Sequence, residues 1–145
     1  MDRLIAFYTE VFDAAVIDDM SEEGLRHVFL DLGGGFVLHP FQIPGLEVPQ
    51  GEIEIFQRGR IDHLALRAET EDDFWEVRER IYKAGASDSN DQGDGLVTDL
   101  GPLLSVGFTD PDGIWGEVCW DRPPEQVTSS AERANWKYVT WPDRI

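Results

Sequence analysis

Cysteine is nearly absent: Cys119 stands alone among 145 residues. An intramolecular disulfide is therefore out of reach, and a reducing, cytoplasmic setting is expected. Basic residues are scarce as well. Twelve Lys and Arg face 29 Asp and Glu, for a formal net charge of −17. A chain without a basic patch cannot release the counterions of a polyanion, so nucleic acid is not an expected partner. Long apolar runs are also missing. None approaches the ~20 residues that cross a bilayer, and no basic stretch leading into an apolar one opens the chain as a secretory signal does. No membrane partner is expected. What the chain does have is 41% hydrophobic residues, with 11% aromatic. That is enough for a packed core, since a chain of this size buries about 68–70% of its unfolded surface.

Apolar residues Leu4, Ile5, Phe7, Tyr8, Val11 and Phe12 recur at three- and four-residue steps and predict an amphipathic helix over residues 2–12. A second helix is predicted from Glu71 to Lys83, with Thr70 as N-cap, Asp72 and Asp73 in its first turn, and Gly85 as its stop. Trp75 and Tyr82 are assigned to its core face by their spacing. Strand-like runs span residues 25–32 and 36–41, on either side of Gly33, Gly34 and Gly35. After a polar loop over 87–95, runs 103–109 and 114–120 form another strand pair. Asp110, Pro111, Asp112 and Gly113 join them with the composition of a turn. Asp110 and Asp112 are therefore read as turn residues rather than catalytic ones.

The chain describes itself twice. An offset of 70 (74 − 4) lays the first helix on the second, and an offset of 78 (113 − 35) lays one hairpin on the other. In the second copy, strand 61–67 precedes the helix, with His63, Ala65 and Arg67 on one face and Asp62, Leu64 and Leu66 on the other. Its counterpart in the first copy falls before Met1, so the first module is expected to lack its opening strand. The division is expected near Gln57 to Arg60, giving a first module over 1–58, a second over 59–122 and a tail over 123–145.

Three segments carry a resemblance: the opening Met1-Asp2-Arg3-Leu4-Ile5-Ala6-Phe7-Tyr8, the strand Ile61-Asp62-His63-Leu64-Ala65-Leu66, and Phe108-Thr109-Asp110-Pro111-Asp112-Gly113 followed by Glu117. In order, spacing and repetition they resemble the vicinal oxygen chelate superfamily. That superfamily holds glyoxalase I, extradiol dioxygenases, methylmalonyl-CoA epimerase and the fosfomycin and bleomycin resistance proteins. The resemblance spans about residues 1–121. It implies an α+β fold of paired βαβββ modules, with a divalent metal held by the first and last strands of each module. On that pattern His63 and Glu117 are metal ligands of the second module. The offset of 78 carries Glu117 back to His39 (117 − 78), where family members often have glutamate, so His39 is a departure. The fourth ligand would precede Met1.

Two imidazoles and a carboxylate suit Fe, Mn, Ni or Zn as divalent ions, and open positions let a substrate bind through two vicinal oxygens. The metal then serves as a Lewis acid. Glu117 is also the expected catalytic carboxylate. Arg67, sharing the His63 face, is the expected anchor for an anionic substrate group. His27 is read as structural or surface-exposed, and Cys119 as a small buried side chain.

The function implied is a metal-dependent enzyme, a lyase, isomerase or dioxygenase, acting as a homodimer on a small oxygen-rich molecule. The alternative is a metal-free binding protein resembling the bleomycin resistance proteins. The tail, with Trp136, Tyr138 and Trp141 among β-branched residues, is read in two ways: as an added strand or cover, on its own chain near the vacant edge or across a dimer, or as a mobile tail held only by its tryptophans.

Overall fold

The computed structural model describes residues 1–46, 61–87, 89–90, 93–127, 129–132, 135 and 137–139. The chain divides into two compact units, Met1–Asp62 and His63–Ile145. The expected boundary at Gln57 to Arg60 lies outside the described residues.

In the first unit, helix α1 (Asp2–Phe12) buries Leu4, Phe7, Tyr8 and Val11 on the predicted stripe. It stops where Asp13 turns left-handed (φ 54°). Strands β1 (Ala15–Glu22) and β2 (Leu25–Asp31) pair antiparallel, with a register shift between Val16 and Asp18. The far side of β2 pairs with β3 (Val37–Leu38) and β4 (Phe41–Gln42). These replace the single expected strand over 36–41. Pro40 lies between them and has no amide donor for the ladder, although its carbonyl accepts from the Val28 N–H at 3.2 Å. Alternation along β2 buries Val28 and Leu30 and leaves His27, Phe29 and Asp31 half-buried on the opposite face.

The second unit runs β5 (Leu64–Arg67), α2 (Glu71–Lys83), a small hairpin of β6 (Ser89–Asn90) and β7 (Gly93–Asp94), β8 (Val97–Asp99), β9 (Leu103–Thr109), β10 (Trp115–Asp121) and β11 (Lys137–Val139). Its main sheet has the order β11-β8-β9-β10-β5, antiparallel throughout except for the parallel pair β10–β5. Thr70 opens α2 with a reciprocal cap: its Oγ1 accepts from the Asp73 N–H, and the Asp73 carboxylate accepts from the Thr70 N–H, both at 3.1 Å. Phe74, Trp75, Arg78 and Ile81 form the buried face of α2.

Tyr82 corrects the expectation from spacing. It is 50% exposed, because the stripe through 74, 75, 78 and 81 leaves position 82 on its flank. The Arg78 guanidinium lies 5.1 Å from the Tyr82 ring centroid, while its Nε and Nη2 donate to the Gly95 carbonyl at 2.8 and 2.6 Å.

Leu104, Val106 and Phe108 of β9 and Val118 and Trp120 of β10 are buried. At Gly116 a Cβ would sit 2.3 Å from the Phe108 ring, so the close approach requires glycine. The turn between β9 and β10 forms as expected, with Asp110 Oδ1 accepting from the backbone N–H of Asp112 at 2.9 Å and of Ile114 at 2.8 Å. The tail does supply a strand, but β11 adds to β8 at the outer edge of the second sheet, away from β5. Trp136, Thr140 and Trp141 lie outside the described residues. Among the described residues no helix is long and apolar enough to cross a membrane.

Candidate functional site

Strands β5, β9 and β10 place the site residues by simple alternation. Side chains at 104, 106 and 108 and at 118 and 120 are buried, so Ser105 and Gly107, and Trp115, Glu117 and Cys119, share the opposite face. The parallel register sets Ala65 against Glu117 and Arg67 against Cys119, which brings His63, just ahead of β5, to the same face.

The expected pair is brought together there. His63 Nε2 lies 3.5 Å from Glu117 Oε1, and both side chains are about one-third exposed. The other carboxylate oxygen, Oε2, accepts a hydrogen bond from Ser105 Oγ at 2.7 Å. The Trp115 ring lies 4.6 Å from the His63 ring between centroids. Among the described residues, His63 Nδ1 and Trp115 Nε1 are buried polar atoms with no hydrogen-bond partner. Cys119 lies beside Ser105 and Glu117. Burial above all, together with the Glu117 carboxylate, pushes its thiol up to about 11, against the opposing pull of its Ser105 hydrogen bond. The sequence predicts a buried Cys119; its side chain is only half-buried, because it lies on the face of β10 that carries Glu117 rather than on the face of Val118 and Trp120.

Arg67 occupies the expected face and is 73% exposed, with Nη1 at 2.7 Å from Asp121 Oδ2. An exposed pair of this kind contributes little, about 0–1 kcal/mol, so the guanidinium is open to exchange of partner.

His39 belongs to the first unit. Its Nε2 lies 3.0 Å from His27 Nδ1, one imidazole donating to the other. His39 stacks on Phe29 at 3.7 Å between centroids, and His27 stacks on Phe41 at 5.2 Å with planes only 7° apart. These rings share the half-buried face of β2. Sequence reasoning sets His27 on a neighbouring strand without pairing it to His39, and it misses Ser105 and Trp115. Ser105 had one available signal, a polar residue inside the apolar run Leu103-Leu104-Ser105-Val106.

The donor chemistry of His63 and Glu117 fits a divalent ion. Their 3.5 Å separation is long for a strong hydrogen bond. Among the described residues no group of three or more His, Cys, Asp or Glu is placed to hold a metal. Within the second unit, His63 and Glu117 are thus two donors side by side.

The family model described as the Glyoxalase/Bleomycin resistance protein/Dioxygenase superfamily matches residues 1–118, which include both His63 and Glu117. Solved structures are similar over most of the chain. A glyoxylase/bleomycin resistance protein/dioxygenase domain from Frankia sp. EAN1pec is 22% identical, with a TM-score of 0.61, and 86% of this chain and 85% of that one are covered. The fosfomycin resistance protein FosX from Listeria monocytogenes, complexed with Mn(II) and sulfate, is 18% identical with a TM-score of 0.55, over 87% of this chain and 86% of that one. The trypanothione-dependent glyoxalase I of Leishmania major is 24% identical, also with a TM-score of 0.55, over 81% and 76%. At these identities the likeness establishes a shared fold. No curated protein matches the sequence. The match over residues 1–118, with the two-sheet α+β architecture, places the chain in the glyoxalase, bleomycin resistance protein and dioxygenase superfamily, the vicinal oxygen chelate fold.

Proposed function

We propose that this protein is a divalent-metal-dependent enzyme acting on a small oxygen-rich molecule that binds through two adjacent oxygens. The observation that carries the reading is the convergence of His63 Nε2 and Glu117 Oε1 at 3.5 Å on one face of the sheet. His63 and Glu117 would hold the ion. When bound, such an ion, one of Fe, Mn, Ni or Zn, would supply Lewis acidity to the site. Glu117 keeps a carboxylate at the reacting face to accept or return a proton. Trp115 and His63 wall the site, and Arg67 is the anchor for an anionic substrate group. The likeness to the Mn(II)-bound Listeria FosX supports the metal only as a fold-level analogy. The working form in this reading is a cytoplasmic homodimer.

The first unit favours a second reading. The stacked set of His27, Phe29, His39 and Phe41 offers flat, half-exposed rings on one sheet face, which suits a protein that captures a small molecule without metal. Titration calorimetry of protein stripped of metal separates the two. The enzyme reading expects saturable binding of Mn(II), Ni(II) or Zn(II) that is lost in His63→Ala. Absence of binding to all of these ions and to Fe(II) overturns it and leaves the capture reading.

A further inference from the structure

Ser105 is an oddity in its strand. Leu104 and Val106 on either side are buried in the apolar layer, yet Ser105 is itself only 9% exposed on the other face. A buried hydroxyl is costly unless it is bonded, and this one donates to Glu117 Oε2 at 2.7 Å. The register explains how they meet. Cys119 is directly opposite Ser105, and Glu117 is directly opposite Gly107, which brings no side chain of its own. The carboxylate thus has room to lean along the strand toward the hydroxyl. Once Oε2 is tied there, Oε1 is the oxygen that faces His63 Nε2.

We infer that Ser105 is a positioning residue for the metal half-site, holding Glu117 so that a single carboxylate oxygen, Oε1, is presented alongside His63 to the ion. The inference rests on the metal-dependent reading above and deepens it with a selectivity. A carboxylate held by one oxygen beside an imidazole suits Mn(II) or Zn(II), whereas Ca(II) takes six to eight oxygens and favours carboxylates free to bind through both. Neighbours that orient a metal ligand typically govern affinity by 10- to 100-fold.

The test titrates Mn(II), Zn(II) and Ca(II) into the metal-stripped full chain as wild type, Ser105→Ala, Ser105→Thr and His63→Ala, with melting of each metal-free protein alongside. Ser105→Ala is expected to lose about 10- to 100-fold in Mn(II) and Zn(II) affinity, and to bind Ca(II) relatively better. Ser105→Thr, which restores the hydroxyl, is expected to recover most of the affinity. Should Ser105→Ala fail to fold, Ser105→Val against Ser105→Thr reads the same difference at matched shape. If the serine variants lacking a hydroxyl bind Mn(II) and Zn(II) as wild type does while His63→Ala loses them, the positioning role is overturned and the metal reading stands. A changed melting curve with unchanged affinity overturns it equally, since that is what a purely structural hydroxyl would give. If wild type binds none of the ions, the metal reading falls first and this inference falls with it.

Discussion

Replacing Gly116 with alanine puts a methyl group inside contact distance of the Phe108 ring, both residues being buried. Overpacking of this kind costs about 1–3 kcal/mol. Chemical denaturation should register that loss, and because Glu117 is the next residue, the metal binding proposed above should weaken with it. An unchanged unfolding midpoint would mean that the β9–β10 layer yields easily. Cys119 makes a second prediction at this scale. Its folded thiol, at about 11, lies above the ordinary 9.0, so the folded state holds the proton more tightly. The stabilisation is complete below pH 9 and is lost as pH rises through about 11. The stability of wild type relative to Cys119→Ala should decline across that window, and alkylation at pH 8 should be slow. A flat difference between the two would contradict this. Single residues were unevenly legible in the sequence. Alternation alone put His63 on the Arg67 face, and turn chemistry assigned Asp110. The His27–His39 contact depends on a strand register that no local pattern encodes. Ser105 acquires its meaning only from its diagonal neighbour across the ladder.

At the scale of elements, legibility tracks how one-sided the burial is. The limits of α2 were readable because Thr70, three acids and a periodic apolar face all agree. Strand β1 went unpredicted: seven of its eight residues are exposed, so it has no apolar alternation to read. Strand β8 is too short to carry a pattern, and Pro40 splits the expected strand over 36–41 into two pairs of residues. The tail strand can be tested directly. Lys137, Tyr138 and Val139 pair with Asp99, Thr98 and Val97. Arg122 separately holds Asp99 through contacts of 2.6 and 3.0 Å. A chain ending at Pro123 keeps the Arg122 contacts and loses β11, exposing the β8 edge. It should melt several degrees lower. An unchanged curve would show that β11 contributes nothing to stability.

For the whole molecule, the charge of −17 is a standing source of self-repulsion. Raising ionic strength from about 10 mM to about 150 mM shortens the screening length from about 30 Å to about 8 Å. Salt also weakens exposed pairs such as Arg26 with Asp2 and Asp19, but such solvent-exposed pairs contribute little to stability. Repulsion is expected to dominate, so the melting temperature should rise with salt. A fall would mean that the ion pairs outweigh it. The parallel pairing of β5 with β10 has a consequence in time. Leu64 meets Gly116 across 52 positions of sequence (116 − 64), farther than any other paired strands of that sheet. Closing so long a loop is entropically the most demanding step in building the sheet. The local hairpin of β9 and β10 can form early, with Glu117 and Ser105 already joined. His63 arrives only when that last gap is zipped, so its meeting with Glu117 is expected to be the final contact of the sheet to form.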